Sequence, residues 1–336
     1  MMADRPVTVD SVALWFPDDE VTVAGLPELD ELPIAQREHA LSLGIDTVRI
    51  GIGLSEVDLA HAAADEALRK AGLDATQIDA LLLVQGRVPQ YLLASEATRL
   101  QHRLGATQAF TTGVGDLGCV SVSAAFALAS ALLCGDPRCQ NVLVVAAAKS
   151  PTRSRYRSPM TLLGDGAAAV LLTTSGTGRY ELVDQMIRSD GKYADLFHID
   201  YRDVREADWV EECADEPMYS FRLAVESRKR FTEINADLLA RNGLQQDAIG
   251  VFLMQNLSLG AFTFWQEALD VTIDPVCRDN LARFGHLGSV DVAANLERAA
   301  SAQVPGDYCV IMNSSPVAAW SSALLRRLPD RPGHGK

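Results

Sequence analysis

The stretch that most constrains the fold is an apolar run that directly follows a cysteine. From Val120 to Leu133 the residues are apolar or small, and only Ser121, Ser123 and Ser130 interrupt them. A helix that is apolar on every side must be buried. The run is too short to span a bilayer, which takes roughly 20 apolar residues. The sequence therefore predicts a helix buried inside a soluble protein core.

Cys119 stands where a strand-like run gives way to this helix. The first turn of a buried helix offers unpaired backbone N–H groups and the positive end of the helix dipole. Both favour a thiolate at Cys119 and can hold an oxyanion beside it, which is the environment of a nucleophile. The alternative is a small core residue, since free cysteine is among the most buried residue types. The local sequence leaves both interpretations open.

Composition and charge limit the class of protein. The chain has 336 residues, 48% of them hydrophobic and 22% charged, which is enough for one two-part domain or two packed domains. The net charge of −14 argues against a nucleic acid partner, because duplex binding depends on Lys and Arg that neutralise phosphates. The six cysteines form no Cys-x-x-Cys pair, so neither a disulfide framework nor a metal site is predicted.

No targeting or membrane segment is predicted. Residues 1–7 lack the apolar core of a signal peptide, and no run has the length of a membrane-spanning helix. We therefore expect a cytoplasmic protein with reduced thiols and no membrane contact.

Strand and helix patterns alternate along most of the chain. Strands are predicted at residues 7–16, 78–85, 109–114, 141–148, 167–174, 180–187, 250–255, 307–313 and 318–327, and helices at 59–71, 94–104, 120–134, 220–242, 261–269 and 289–302. The similar order of elements in the two half-chains predicts an internal duplication with helices between sheets. The predicted division is 1–175, which carries Cys119, and 176–336. Residues 191–218 are acidic and without clear period, which indicates a long loop of functional or disordered type.

Several motifs, in this order along the chain, resemble the ketoacyl synthase III enzymes of the thiolase fold. They are Gly-Cys before the buried helix, Gly-Asp-Gly-Ala-Ala-Ala at 164–169, Ser-Asp-Gly at 189–191, Arg-Phe-Gly-His at 283–286 and Ala-Trp-Ser-Ser-Ala-Leu at 319–324. The resemblance implies an α/β chain with a thiolase-like duplicated five-layer α-β-α-β-α fold, a homodimer, and an acyl thioester formed on Cys119 from acyl-CoA. It also implies no metal and no permanently bound cofactor.

Three places depart from the pattern of this family. Family condensing enzymes carry a histidine in a His-Gln-Ala-Asn run, whereas this chain reads Leu-Met-Gln-Asn-Leu at 253–257. His286 stands where the family has an asparagine. Residues 314–317 replace a glycine-rich loop that helps to form the oxyanion hole, and Pro316 has no N–H to donate. The second oxyanion donor must therefore come from another residue or be missing.

With these departures the chain resembles the priming ketosynthases and acyltransferases of polyketide and other secondary pathways. Acyl loading needs a nucleophile, a general base and an oxyanion site, whereas condensation also needs groups that stabilise an enolate. We therefore expect an acyltransferase that loads a short starter from acyl-CoA onto Cys119 and passes it to an acyl carrier protein, with condensing activity left open.

Two other functions stay open. One is acyl transfer to a small-molecule alcohol or amine, or thioester hydrolysis, at the same Cys119. The other is an inactive partner subunit of a heteromeric ketosynthase, against which the intact Cys119 argues.

Two histidines are candidate bases for Cys119. The resemblance places His286 against the cysteine, and Asp291 is close enough in sequence to orient it. The alternative for Asp291 is an acid in the first turn of a helix. His198 lies in the irregular segment that borders the acyl pocket in this fold, and its alternative is a structural histidine.

A basic cluster of Arg153, Arg155 and Arg157 stands out in this acidic chain. In the family an arginine near this place meets the nucleotide end of CoA, and Arg can pair bidentately with phosphate. A solvated loop is the alternative. A second cluster, residues 228–230, is interpreted as a solvated helix face, although either cluster could dock an acidic carrier protein.

Overall fold

The computed structural model describes residues 5–86, 89–176, 178–300, 302–317 and 319–329, so Ser301 and Ala318 of two predicted elements lie outside the described part. The strands of this part are β1 (Thr8–Trp15), β2 (Glu20–Thr22), β3 (Thr47–Arg49), β4 (Ala80–Val84), β5 (Phe110–Val114), β6 (Asn141–Ala148), β7 (Tyr156–Arg157), β8 (Thr161–Leu162), β9 (Gly166–Thr173), β10 (Tyr180–Ser189), β11 (Phe197–His198), β12 (Glu212–Cys213), β13 (Ile249–Met254), β14 (Tyr308–Ser315) and β15 (Ala319–Arg327). The helices are α1 (Ile34–Leu41), α2 (Glu56–Ala71), α3 (Glu96–Leu104), α4 (Ser121–Gly135), α5 (Ala224–Arg241), α6 (Leu259–Leu269), α7 (Pro275–Phe284) and α8 (Asp291–Ala299).

Nine of the strands form a mixed sheet whose strand pattern repeats. The order is β13-β14-β15-β10-β1-β9-β6-β4-β5. Strand β1 pairs antiparallel with β9, β9 pairs antiparallel with β6, and β6 pairs parallel with β4. Strands β10, β15, β14 and β13 repeat these orientations in the second half of the chain. The counterpart of β5 is reduced to one parallel bridge between Phe252 and Ile273. This repeat is the topology expected of a duplicated fold, while the boundary at residue 175 stays a prediction.

Helices α4 and α8 form the middle layer between the two sets of strands. Helix α4 packs against β4 and β6 of the first set and against β10 of the second, and α8 packs against β1 and β9 on one side and β13 and β14 on the other. Helix α2 covers the outer face of the first set, and α5 covers that of the second. The layers therefore alternate α-β-α-β-α, as predicted from the resemblance. The two sets also join directly, because β1 and β10 pair at their first residues.

The apolar run after Cys119 is α4, and it is a core helix. By length and composition the stretch Gly118–Gly135 could cross a membrane, but 50% of it is buried inside the fold. Its start differs from the prediction, because a 3-10 turn over Gly118–Val120 precedes the α-helix. That turn decides how the backbone around Cys119 is hydrogen bonded.

The turn before α4 recurs before α8. The chain reads Leu-Gly-Cys-Val-Ser-Val at 117–122 and Leu-Gly-Ser-Val-Asp-Val at 287–292. Each copy contains a 3-10 turn that begins at its glycine, Gly118 or Gly288. These glycines have φ values of 54° and 58°, a left-handed conformation that glycine adopts without strain. The repeat makes Ser289 the structural counterpart of Cys119, with the two turns facing each other in the middle layer.

The sequence pattern missed helix α7. This helix begins at Asp274, whose side chain accepts a hydrogen bond from the N–H of Val276, and has Pro275 in its first turn. Both are helix-start signals that were available in the sequence. The apolar period was weak because one of its four buried residues is the polar Asn280. In the acidic segment, residues 197–198 pair antiparallel with 212–213. Residues 199–211 between them form a loop with one 3-10 turn at Glu206–Asp208.

Truncation of the buried face of α4 should destabilise the protein. Leu133 is 0% exposed, whereas Leu128 on the same helix is 47% exposed. We expect Leu133→Ala to lower the free energy of unfolding by about 2 to 5 kcal/mol, the range for a buried Leu→Ala change. Leu128→Ala should change it by less than about 0.5 kcal/mol. Urea denaturation of both variants tests this, and equal losses would contradict the placement of α4.

Candidate active site

Cys119 lies in the turn before α4, where the two halves of the chain meet. Its side chain is buried at 3% exposure, and its Sγ lies 3.4 Å from Nε2 of His286. The carbonyl oxygen of Cys119 accepts a hydrogen bond of 2.7 Å from Nδ2 of Asn313, at the end of β14. It is also 3.3 Å from the hydroxyl of Ser289 in the repeated turn. The nucleophile candidate is therefore fixed by contacts from the second half of the chain.

His286 is held in place through its main chain by the first half. Its N–H donates to the oxygen of Leu162 over 2.9 Å, and its carbonyl accepts from the N–H of Gly164 over 3.2 Å. A β carbon on Gly164 would lie 2.0 Å from the oxygen of Phe284, so no larger residue fits at this crossing. Since the ring is only 1% exposed, backbone pairing and packing set its direction before any substrate arrives.

Asp291 completes a hydrogen-bonded row with His286 and Cys119. Its Oδ2 lies 2.6 Å from Nδ1 of His286. Its Oδ1 accepts from the N–H of Leu287 over 2.9 Å, and Oδ2 also accepts from the N–H of Asn256 over 3.1 Å. The predicted alternative, a first-turn acid of a helix, describes its position at the start of α8 but not its contacts. Asp291 is therefore both an acid in the first turn of α8 and the hydrogen-bond partner of His286.

A set of buried asparagines behind Asp291 was missed from the sequence. Nδ2 of Asn256 lies 3.4 Å from Oδ1 of Asp291. Nδ2 of Asn295 donates to Oδ1 of Asn256 over 2.9 Å, and Nδ2 of Asn280 donates to Oδ1 of Asn295 over 2.7 Å. Arg298 then donates to Asn280 over 2.9 Å. These polar residues are far apart in the sequence, so no local pattern predicts that they contact one another. Only Asn256 stands out, because it lies in the run that departs from the family pattern.

The charges around His286 favour its protonated form. Burial lowers the pKa of the ring, but the negative charges of Asp291 and Cys119 and their hydrogen bonds more than offset this, and the pKa rises to about 9. At neutral pH the ring therefore carries a positive charge. An imidazolium directed at a cysteine favours the thiolate, and the contact of 3.4 Å between Sγ and Nε2 places the two groups for such a pairing.

The turn geometry corrects one sequence prediction about oxyanion donors. The N–H of Val120 donates to the oxygen of Leu117 over 3.1 Å, and the N–H of Ser121 donates to the oxygen of Gly118. The prediction of unpaired N–H groups beside Cys119 is therefore wrong for these two residues, because the 3-10 turn uses them.

Cys119 and His286 line a cavity of about 780 Å³, a size typical of pockets for small-molecule ligands. Its wall is apolar in part and charged in part, with contributions from Leu92, Phe197, Ile199, Trp209, Glu56, Lys149, Arg157 and Glu211. The acidic hairpin of residues 197–213 thus forms one side of the cavity. Its predicted place beside the acyl pocket agrees with this lining.

His198 lies in this cavity wall but not in the hydrogen-bonded row. Its side chain is exposed, and its Nδ1 is 3.3 Å from the carbonyl oxygen of Asp195. The structure therefore brings His286 and Asp291 to Cys119 and leaves His198 as a wall residue.

The predicted CoA site in the first basic cluster is corrected at Arg155. Its guanidinium is buried and forms two hydrogen bonds to Asp165, of 2.9 and 3.0 Å. Because this pair uses both terminal nitrogens of the guanidinium, Arg155 is not available to bind a phosphate. Arg157 lines the cavity but pairs with Glu211 over 2.8 Å, which neutralises its charge. Arg153 is exposed and remains a candidate.

The second basic cluster lies on a solvated face of α5, as interpreted from the sequence, because Arg228 and Lys229 are exposed. Arg230 lies 2.8 Å from Glu226 on α5, and Lys229 lies 3.9 Å from Glu233.

Comparison with known sequences reveals one family. A family model described as 3-oxoacyl-[acyl-carrier-protein (ACP)] synthase III matches residues 116–191. The beta-ketoacyl-[acyl-carrier-protein] synthase III of Rhodobacter capsulatus is 30% identical over 288 residues, which cover 82% of this chain and 85% of that protein. The protein of the same name from Dinoroseobacter shibae is 29% identical over 283 residues, which cover 80% and 83%.

Solved structures show the same fold at lower identity. ChlB3, titled an acyltransferase, superposes with a TM-score of 0.81 at 20% identity and covers 96% of this chain and 98% of its own. The priming beta-ketosynthase from the R1128 polyketide biosynthetic pathway has a TM-score of 0.80 at 20% identity, covering 98% of each chain. These matches confirm the predicted thiolase-like fold.

Replacement of His286 should change the free energy of unfolding by an amount that depends on pH. The folded pKa of His286, about 9, lies above its ordinary value of 6.5. Its protonation therefore stabilises the fold fully below pH 6.5, and this contribution is lost as the pH rises through 9. We expect the difference in free energy of unfolding between wild type and His286→Gln to be largest below pH 6.5 and to shrink toward pH 9.

Urea denaturation at several pH values measures this difference. Asp291→Asn is the matched comparison, because it removes the larger of the two charges that raise the pKa of the ring. It should suppress most of the pH dependence. A difference that stays constant across this range would contradict a protonated His286.

Proposed function

The chain belongs to the beta-ketoacyl-[acyl-carrier-protein] synthase III family of acyltransferases, and from this we propose that it is a priming enzyme. It loads a short acyl group from acyl-CoA onto Cys119 and passes that group to an acyl carrier protein. The observation that carries the proposal is the row Cys119–His286–Asp291, with contacts of 3.4 and 2.6 Å. A nucleophile, an acid–base group and its orienting carboxylate are the parts that acyl transfer requires.

The loading step follows from the charge on this row. The Cys119 thiolate attacks the thioester carbon, and the carbonyl electron pair moves onto oxygen to form an oxyanion. Collapse of this intermediate breaks the bond to the CoA sulfur. The departing thiolate takes the proton from Nε2 of His286, which leaves the ring neutral. In the transfer step the neutral ring takes the proton of the acceptor thiol, and the acceptor sulfur displaces Cys119 as a thiolate.

The surroundings of residues 253–257 support transfer over condensation. Gln255 exchanges two hydrogen bonds with Ser314, of 3.1 and 2.7 Å. The side chain of Asn256 is 0% exposed and pairs with Asp291 and Asn295. Neither residue lines the cavity. Neither is therefore placed to stabilise the enolate that decarboxylation of a malonyl group leaves.

The remaining parts of the proposal rest on the family and on the sequence. Relatives are named for their use of an acyl carrier protein, and we infer the same acceptor here. A homodimer, a cytoplasmic location and the lack of a permanently bound cofactor complete the proposal. The acyl-CoA would enter the cavity with Arg153 as the remaining basic candidate for its nucleotide end.

One observation favours a second acceptor class. Residues 195–216 carry nine acidic and two basic side chains, and members of this segment line the cavity. Seven of the nine acidic side chains are exposed, and exposed negative charge beside the cavity repels an acidic carrier protein and favours a neutral or cationic acceptor. Acyl transfer to a small-molecule alcohol or amine is therefore the second candidate, with the same chemistry at Cys119.

Acyl loading is tested by intact-protein mass spectrometry after incubation with a panel of short acyl-CoAs. We expect one acyl adduct on the wild type and none on Cys119→Ala. His286→Ala should slow acylation about 10²- to 10⁴-fold, the usual contribution of a positioned acid–base group. His198→Ala should cost less, because this side chain lies outside the hydrogen-bonded row. An adduct that survives Cys119→Ala would move the nucleophile elsewhere.

The acceptor is tested by comparing reactions of one preparation of the acylated enzyme. Transfer to a carrier protein should be faster than condensation with a malonyl carrier, because residues 253–257 provide no enolate-stabilising side chain in the cavity. The same acyl-enzyme is offered simple amines and alcohols. Faster deacylation by these would select the second candidate, and faster condensation would overturn both.

A further inference from the structure

Formation of the acyl-enzyme requires hydrogen-bond donors at the oxygen of the substrate carbonyl, and the two residues that follow Cys119 do not supply them from their main chain. Negative charge develops on the substrate oxygen, and preorganised donors there account for a large share of catalysis. The N–H groups of Val120 and Ser121 are used within the turn. Pro316, on the facing loop, has no N–H, and the N–H of Val317 donates to Oγ of Ser315 over 3.3 Å.

Ser315 places a hydroxyl at this point. It ends β14 and lines the same cavity as Cys119, with 3% of its surface exposed. A β carbon built on Gly118 would lie 2.4 Å from Ser315 Oγ. The hydroxyl therefore lies against the residue that precedes the nucleophile. The strand that carries it is fixed there, because Asn313 donates to the carbonyl of Cys119 over 2.7 Å.

The oxygen of Ser315 already accepts one hydrogen bond, which leaves its hydroxyl proton to donate elsewhere. With the N–H of Val317 as donor to Oγ, one lone pair is engaged and the O–H proton is left to donate. Within the described ranges it has no hydrogen-bond acceptor among the protein atoms. A buried hydroxyl on a residue that lines a cavity, with no protein acceptor for its proton, can donate to a ligand atom.

We propose that Ser315 is an oxyanion donor of the acylation step, its hydroxyl donating to the oxygen of the tetrahedral intermediate on Cys119. This inference rests on the proposed function. As the sulfur–carbon bond forms, the carbonyl electron pair moves to oxygen, and the Ser315 O–H stabilises that charge without transferring its proton. The proton needed by the leaving thiolate still comes from His286.

Other hydroxyls near Cys119 fit this role less well. Ser289 Oγ lies 3.3 Å from the carbonyl oxygens of both Gly118 and Cys119, so its proton has acceptors already. Ser314 is paired through its side chain with Gln255. Ser121 is the exception, because it lines the cavity and its oxygen accepts from the N–H of Leu117 over 3.1 Å, as Ser315 Oγ accepts from the N–H of Val317. Ser121 is therefore the competitor that the experiment must exclude.

The test compares two reactions of Cys119 in the intact protein. Acetylation by acetyl-CoA or by the small thioester S-acetyl-N-acetylcysteamine passes through an oxyanion, whereas alkylation by iodoacetamide does not. We expect Ser315→Ala to slow acetylation by about 10²- to 10³-fold, the loss seen when one oxyanion donor is removed. Alkylation should stay close to the wild-type rate. Ser315→Thr keeps the hydroxyl and should restore most of the acetylation rate, and Ser314→Ala is the matched control that should change neither reaction.

Each other outcome overturns either the role of Ser315 or the proposed function. If Ser315→Ala slows alkylation as much as acetylation, the residue acts on the thiolate or on the fold, and the inference is overturned. It is also overturned if Ser121→Ala shows the selective loss instead, or if Ser315→Ala acetylates at the wild-type rate. A wild type that reacts with the small thioester but with no acyl-CoA would defeat the proposed function alone and leave the role of Ser315 to be read from the same comparison.

Discussion

The contact on which the site depends is the hydrogen bond of 2.6 Å between His286 and Asp291. It fixes the orientation of a buried ring and supplies the charge that keeps the ring protonated. Burial alone would make a neutral imidazole, and a neutral imidazole would not stabilise a thiolate. The carboxylate in turn accepts hydrogen bonds from the main-chain N–H groups of Leu287 and Asn256. The reactivity of Cys119 thus depends, through His286, on Asp291, which is not among the residues that line the cavity.

The asparagines behind Asp291 explain why this arrangement is rigid. An ionised carboxylate inside a protein is costly unless its oxygens are satisfied. Asn256, Asn280 and Asn295 are all 0% exposed, and they form a continuous hydrogen-bonded chain that ends at Arg298. Of the three side chains only the uncharged amide of Asn256 contacts the carboxylate, so within this network no second cation competes with His286 for Asp291. The network orients the acid and leaves the electrostatic balance to the row itself.

The sequence was informative where one local pattern determines one element. The apolar run predicted α4, and the family resemblance brought Cys119, His286 and Asp291 together although 167 residues separate the first two. It failed where function is set by pairing in space. Arg155 looks like a phosphate ligand in a basic run, but its partner Asp165 is ten residues away and buried. Likewise the 3-10 turn, which engages the N–H groups beside Cys119, cannot be distinguished from a helix start by composition.

The two facing turns carry a consequence for how such a site can change. Leu-Gly-Cys-Val-Ser-Val and Leu-Gly-Ser-Val-Asp-Val share one backbone shape, so a scaffold with approximate twofold symmetry supports a centre with none. One copy contributes the sulfur and the other contributes the acid. Each turn therefore contributes one of these two groups, and both turns have the same backbone geometry. Substitutions at the positions where the two turns differ can alter the reaction while the glycine geometry that both turns share preserves the fold, a freedom that a site built from a single unrepeated loop does not have.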